Sequence, residues 1–248
     1  LEIGDKQREI FQQRVLAPVA DKYGKHHERL SGFMAMEGRD FAKSRKLMVV
    51  GRAVNSWGDG LTVSELRNRS TWGDFADSIH ECAGDCKMAW VAQSAGQSDG
   101  YNTYSSAFWR VVKLVSKDLG VWGEEDEGHW SSRLVWSNLY KLSPQAGGNP
   151  SNKLCELQEP GCIELLRQEL IEYAPERALF LTGMNWAWPF MKGLGGRLQA
   201  MPGLVEARGS IELPAKWASI PFVVASYPQG KDESSWVEQV LEAFQIVD

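Results

Sequence analysis

The chain has 248 residues, of which 43% are apolar, enough for one large α/β domain with a substantial core. Its formal net charge of −5 excludes a surface coated in basic side chains for non-specific nucleic-acid binding, though not a local basic groove. No apolar run approaches the roughly 20 residues that span a bilayer, and the charged start is unlike a signal peptide; a cytoplasmic protein with no membrane partner is expected.

The apolar stripe Ile10, Phe11, Val15, Val19 predicts a helix within about Asp5 to Leu30, part of a helical extension over about residues 1–45. Four continuous apolar runs follow along the chain. They are Leu47-Met-Val-Val-Gly51, Leu134-Val-Trp-Ser-Asn138, Ala178-Leu-Phe-Leu-Thr-Gly183 and Phe222-Val-Val-Ala-Ser226. Apolar residues that run on instead of alternating mark strands buried on both faces. After the first run, Asp59 to Gly100 is polar and without clear period, which suggests an elaborated loop over the site. Tyr104 to Leu119 is the clearest helix, with Phe108, Val111, Val112, Val115 and Leu119 on one face and Ser105 or Ser106 as cap. The acidic run Glu124-Glu-Asp-Glu127 reads as a solvated loop. The loop Ala146-Gly-Gly-Asn-Pro-Ser151 could cradle phosphate through backbone N–H groups, but it lacks the Lys-Ser/Thr of a P-loop and reads as surface. Cys162 to Tyr173 is helical, Asn185 to Phe190 starts another helix, and Val205 to Leu213 suits an added strand or hairpin arm. The chain closes on an amphipathic helix, Asp232 to Phe244, buried through Trp236, Val237, Val240, Leu241 and Phe244, with Asp232 as its cap.

Helices between the strands predict a three-layer α/β/α fold around a mostly parallel four-stranded sheet, in a single domain over 1–248. Ligands of open parallel sheets bind beyond the carboxyl ends of the strands. The candidate rim is therefore Gly51 to Trp57, Asn138 to Lys141, Gly183 to Trp186 and Ser226 to Lys231, with Arg52, Arg110, Arg133, Lys141 and Lys231 in or near it. Cys82 and Cys86, and Cys155 and Cys162, match no usual zinc or iron–sulfur spacing; they read as ordinary thiols, and no metal or cofactor is expected. His26, His27, His80 and His129 lie outside the strand ends, and the first two are expected to face solvent.

Taken together, the segments from Leu47 to Phe244 resemble the uracil-DNA glycosylase superfamily. The resemblance rests on order and placement at strand ends, not on any single motif. Gly51-Arg-Ala-Val-Asn55 stands where that family has a strand-end glycine and a short polar loop. Tyr101 or Tyr104, ahead of the Ser105-to-Trp109 helix start, stands where an aromatic residue stacks on the extruded base. Asn138 matches the strand-end Asn that reads the base edge. Ser226-Tyr-Pro-Gln-Gly230 stands where the family has a His-Pro segment, and Gly230 to Phe244 is similar to its last helix. The resemblance implies a DNA-repair hydrolase: Asn138 reads the base and Asn55 positions water. Tyr227 or Ser226 stabilises the leaving base beside Gly51 and Pro228, and Arg52 and Lys231 hold flanking phosphates. Two departures are plain. Arg52, Ala53 and Asn55 occupy positions where many relatives carry Asp or Glu, and Tyr227 replaces the usual His.

The residue types suit such chemistry. A target base must leave the stack to be reached. An amide offers a donor and an acceptor to a pyrimidine edge, and aromatic faces stack on bases of any sequence. The alternative expectation is a non-catalytic module on the same fold, holding DNA, a nucleotide or a free base, consistent with the absent carboxylate and His.

Overall fold

The computed structural model describes residues 4–79, 85–98, 100–213 and 218–245. His80 and Cys82 lie outside them. The helical start divides into α1 (Asp5–Ile10), a π-helical segment Phe11–Leu16 and α2 (Ala17–Lys22). It buries Ile10, Phe11, Val15, Leu16 and Val19, as the stripe requires. The expected helical extension is corrected beyond Lys22. The apolar stripe has run out there, Lys25, His26 and His27 are exposed, and the chain turns into β1 (Arg29–Gly32) and β2 (Met36–Glu37).

The remaining strands are β3 (Leu47–Ala53), β4 (Leu61–Thr62), β5 (Leu134–Tyr140), β6 (Leu142–Pro144), β7 (Arg177–Phe180), β8 (Arg197–Ala200), β9 (Val205–Leu213) and β10 (Ala218–Ala225). The helices are α3 (Val63–Leu66), α4 (Trp72–Ile79), α5 (Ala89–Gln93), α6 (Ala107–Asp118), α7 (Asn152–Tyr173), α8 (Met184–Leu194) and α9 (Glu233–Gln245). The polar stretch after β3 is thus no plain loop. Thr62 and Glu65 form a capping box that starts α3, and Trp72, Phe75, Ala76 and Ile79 give α4 a buried face. Among the described residues no helix is long and apolar enough to cross a membrane.

Residue contacts divide the chain into two compact units. The first holds the chain through Ala35, Gly51 to the end of α4, and Ser137–Glu172. Its sheet has the order β4-β1-β6, antiparallel throughout, with Leu30 opposite Leu61 and Ser31 opposite Ser143. Phe11, Leu16, Leu30, Phe33 and Leu165 are among its fully buried residues.

The second unit holds Met36–Val50, the described residues from Asp85 to Trp136, and Tyr173 to the end of α9. The larger sheet has the order β2-β5-β3-β7-β10-β9-β8. Its four central strands are the four predicted runs. β7 pairs parallel with both β3 and β10, Leu179 lying opposite Val49 and Val223. The expected four-stranded sheet is corrected to seven strands. β2 adds antiparallel to β5 at one edge, and the β8–β9 hairpin adds antiparallel to β10 at the other. These edge strands escape the search for continuous apolar runs because β2 is two residues long and β9 alternates buried and less buried positions. Phe180, Phe222, Trp236 and Phe244 are fully buried in this unit.

Candidate functional site

The residues expected on one rim fall in both units: Gly51, Arg52, Asn55 and Asn138 in the first, Tyr101, Tyr104, Ser226, Tyr227, Pro228 and Lys231 in the second.

In the first unit, Gly51 is buried and Arg52 half-buried, both still within β3 and not at its end. Beyond the strand, the Ser143 hydroxyl donates to the Val54 carbonyl at 2.7 Å, and the Asn55 amide oxygen accepts the Gly148 N–H at 2.8 Å. Gly147 and Gly148 both take positive φ, at 99° and 89°, which explains the paired glycines of that loop. The Gly148 donor that could have faced a phosphate is thereby used by Asn55.

Asn138 is 2% exposed and lies inside β5, which continues to Tyr140. The expected strand end is corrected because the polar Ser137-Asn138 pair does not interrupt the strand: the Ser137 hydroxyl is provided for, donating to Glu169 Oε2 at 2.7 Å. Asn138 Nδ2, by contrast, is buried with no hydrogen-bond partner among the described residues. A buried donor left without an acceptor costs about 1–3 kcal/mol, and a carbonyl oxygen is the group that would relieve it.

Lys141, expected among the basic rim residues, is corrected: it is fully buried. Its ammonium donates to Glu169 Oε1 at 2.7 Å and to Ser137 Oγ at 2.8 Å, and lies 5.9 Å from the centre of the Phe33 ring. Gln158 completes the network. Its Oε1 accepts the N–H groups of Lys141 and Leu142, its Nε2 donates to the Leu142 carbonyl, and the Cys162 thiol donates to the same Oε1 at 3.4 Å. Sequence reasoning missed Gln158 and Glu169, although both fall on the stripe of α7 that includes Leu154, Cys162, Leu165 and Leu166. A charged residue on an apolar helical stripe was the available signal.

Cys86 and Cys162 are buried and Cys155 is half-buried. Burial pushes Cys162 up to about 12 and Cys155 up to about 11. At neutral pH an alkylating reagent is expected to leave both unmodified in the folded protein and to modify both once urea unfolds it; mass spectrometry of the digested protein reads the difference. Among the described residues no group of three or more His, Cys, Asp and Glu side chains could hold a metal ion.

In the second unit, Tyr101 and Tyr104 are 57% and 59% exposed, although the loop carrying them is firmly held. Asn102 Oδ1 accepts the N–H groups of Tyr104 at 2.9 Å and Gly96 at 3.0 Å. Thr103 is buried, and its hydroxyl donates to the Val91 carbonyl at 2.8 Å. Each tyrosine ring is backed by protein. Tyr101 lies 6.1 Å from the Trp90 ring, and the Tyr104 ring sits over Gly96, where a Cβ would meet it at 3.4 Å.

Arg110 on α6 joins this loop to the start of α9. It donates to the Tyr104 carbonyl and, through Nε at 3.1 Å, to both carboxylate oxygens of Glu233. Ser106 caps α6 through the Trp109 N–H, and Asp232 caps α9, accepting the Ser235 N–H at 2.8 Å, as expected. Just before α9, Ser226 is fixed by its backbone: its N–H donates to the Leu204 carbonyl, and its carbonyl accepts the Trp236 indole N–H at 2.8 Å. Its hydroxyl oxygen is buried with no hydrogen-bond partner among the described residues. Tyr227 is half-buried, Pro228 buried and Lys231 exposed.

Two of the cations in or near the rim segments are taken up by acids. Arg110 pairs with Glu233, and Arg133 donates to Asp126 at 2.9 Å. Asp126 is itself a correction to the solvated acidic run, being 4% exposed. Burial alone would raise its pKa, but Arg133, the Gly123 N–H and His129 together hold the carboxyl below its usual range. Glu124, Glu125 and Glu127 are exposed as expected.

No family model matches the chain, and no curated protein matches it in sequence.

Proposed function

We propose that the protein binds nucleobases of single-stranded nucleic acid or of nucleotides, on a uracil-DNA glycosylase-like α/β fold, by stacking them on Tyr101 and Tyr104. The observation that carries this reading is the pair of exposed tyrosine rings, each backed by the protein and mounted on a pinned loop. An exposed ring on a pinned loop is preorganised for a flat partner, so little side-chain entropy is lost when a base lands on it. Arg110 is already paired, which leaves exposed Lys231 as the cation suited to a flanking phosphate.

Fluorescence anisotropy with labelled single-stranded oligonucleotides and nucleotides tests it. Base–aromatic stacking contributes about 1–3 kcal/mol per base, so Tyr101→Ala and Tyr104→Ala are each expected to weaken binding roughly 5- to 150-fold while the fold survives. Absence of binding to every oligonucleotide and nucleotide would overturn the reading.

Hydrolysis of an N-glycosidic bond is a second reading, favoured by the buried Asn138 Nδ2, which has no hydrogen-bond partner among the described residues and is a donor suited to a pyrimidine carbonyl. In it Asn55 orients water. Base release from oligonucleotides carrying uracil, hypoxanthine or xanthine, lost on Asn138→Ala, is the outcome it requires.

A further inference from the structure

The second unit contains a continuous series of aromatic rings that ends at one exposed phenol. Trp136 and Trp109 lie 5.2 Å apart between ring centres, Trp90 lies 5.6 Å and 5.5 Å from them, and Tyr101 lies 6.1 Å from Trp90. In the other direction Trp109 meets Trp130 at 6.4 Å, and Trp130 meets Trp122 at 6.3 Å. Trp109, Trp122 and Trp130 are at most 4% exposed, while Tyr101 is largely in solvent. Core filling accounts for burying indoles. It does not by itself account for an unbroken ring-to-ring path that leaves the core at a tyrosine.

We propose that this path is a one-electron relay that carries an oxidising equivalent from the tryptophan core to Tyr101 at the surface. Indole and phenol are among the side chains most readily oxidised by one electron, and rings in near contact exchange electrons readily. The two ends differ in a way that sets direction. At the Trp122 end the exposed Lys117 ammonium lies 5.4 Å from the Trp122 ring centre, and the Lys113 ammonium, paired with Glu127, lies 5.8 Å from it. A cation over a π face is attracted to its electrons, so removing one there is made harder. At the outer end the Tyr101 phenol can release its proton to water as it gives up an electron, which traps the hole as a neutral phenoxyl radical.

The balance is simple. A one-electron oxidant of the inorganic-radical class takes an electron from an indole, which loses its N–H proton. Tyr101 returns an electron to that indole, the indole regains a proton, and the phenol proton passes to solvent. The net change is one oxidant reduced, one tyrosine oxidised to phenoxyl and one proton released. The relay operates whether or not a base stacks on Tyr101.

Pulse radiolysis with azide radicals, which attack indoles selectively, tests it on the whole chain. In the wild type and in Tyr104→Phe, indolyl absorption is expected to give way to phenoxyl absorption in a first-order phase independent of protein concentration. Tyr101→Phe is expected to lose that phase. Trp90→Phe, checked for folding by circular dichroism, is expected to slow it. A Tyr101→Phe protein that forms phenoxyl as fast and as fully as the wild type would overturn the proposal, as would an unchanged rate in a folded Trp90→Phe protein.

Discussion

Lys141→Ala is expected to destabilise the protein by about 3–5 kcal/mol, the usual consequence of removing one partner from a buried ion pair. The Lys141 and Glu169 side chains are both 0% exposed. With the ammonium gone, the Glu169 carboxylate keeps only the Ser137 hydroxyl as a donor within the network. A single hydroxyl donor does not offset the desolvation of a buried charge. The loss is also steric, because the lysine stem packs where solvent does not reach. The control separates charge from volume. The double variant Lys141→Met, Glu169→Leu removes both charges and keeps most of the volume, and it is expected to recover much of the lost stability. Urea unfolding of the three proteins measures this through their midpoints. A loss below about 1 kcal/mol for the single variant would contradict a dry, mutually dependent pair.

Gly161→Ala should be the second large effect. A Cβ at this position would lie 2.0 Å from the Arg14 carbonyl oxygen, 2.3 Å from its carbon and 2.9 Å from the Val15 nitrogen. Every one of these atoms is backbone, so no side chain can swing aside. α7 and the π-helical segment Phe11–Leu16 would have to move apart, opening the packing around Phe11, Val15 and Leu165, all fully buried. Overpacking of this kind costs about 1–3 kcal/mol and more where only backbone can yield. The gain in helix propensity from Gly to Ala, roughly 1 kcal/mol, acts in the opposite sense and is too small to win. Gly73→Ala isolates that propensity effect, since Gly73 lies in α4 and a Cβ there meets nothing within 4 Å. Thermal melts should move down for Gly161→Ala and up slightly for Gly73→Ala. Movement of both in the same direction would rule out the clash as the cause.

These two positions also mark where the sequence was readable. The predicted helix began at Cys162, just after the pair Pro160-Gly161. The helix in fact runs through both from Asn152. The glycine is there for close approach to Arg14, a contact between segments far apart in sequence that no local pattern encodes. Lys141 looked like a rim cation because it follows an apolar run. Its burial depends on Glu169, which is brought to it only when α7 packs. Arg110 and Arg133 were placed only in or near the rim, and the acids that take them up, Glu233 and Asp126, are chosen by the fold. Asn138 looked like a strand terminus because polar residues usually end buried strands. Here a neighbouring hydroxyl is satisfied from a distant helix, so the strand continues.

By itself the sequence determined the α/β class, the four central strands, the buried positions Phe108, Val111, Val112 and Val115 of α6 and Trp236, Val237, Val240 and Phe244 of α9, and the cap Asp232. All of these follow from apolar period and from hydrogen bonds that span a few residues. Only the tertiary structure decided the antiparallel edges of the larger sheet, the buried Ser137–Lys141–Glu169 network and the supported, outward rings of Tyr101 and Tyr104. It also decided the run of tryptophans behind Tyr101. Each of these depends on which distant side chain arrives to satisfy a charge, a donor or a ring face, and that is set by packing rather than by neighbours along the chain.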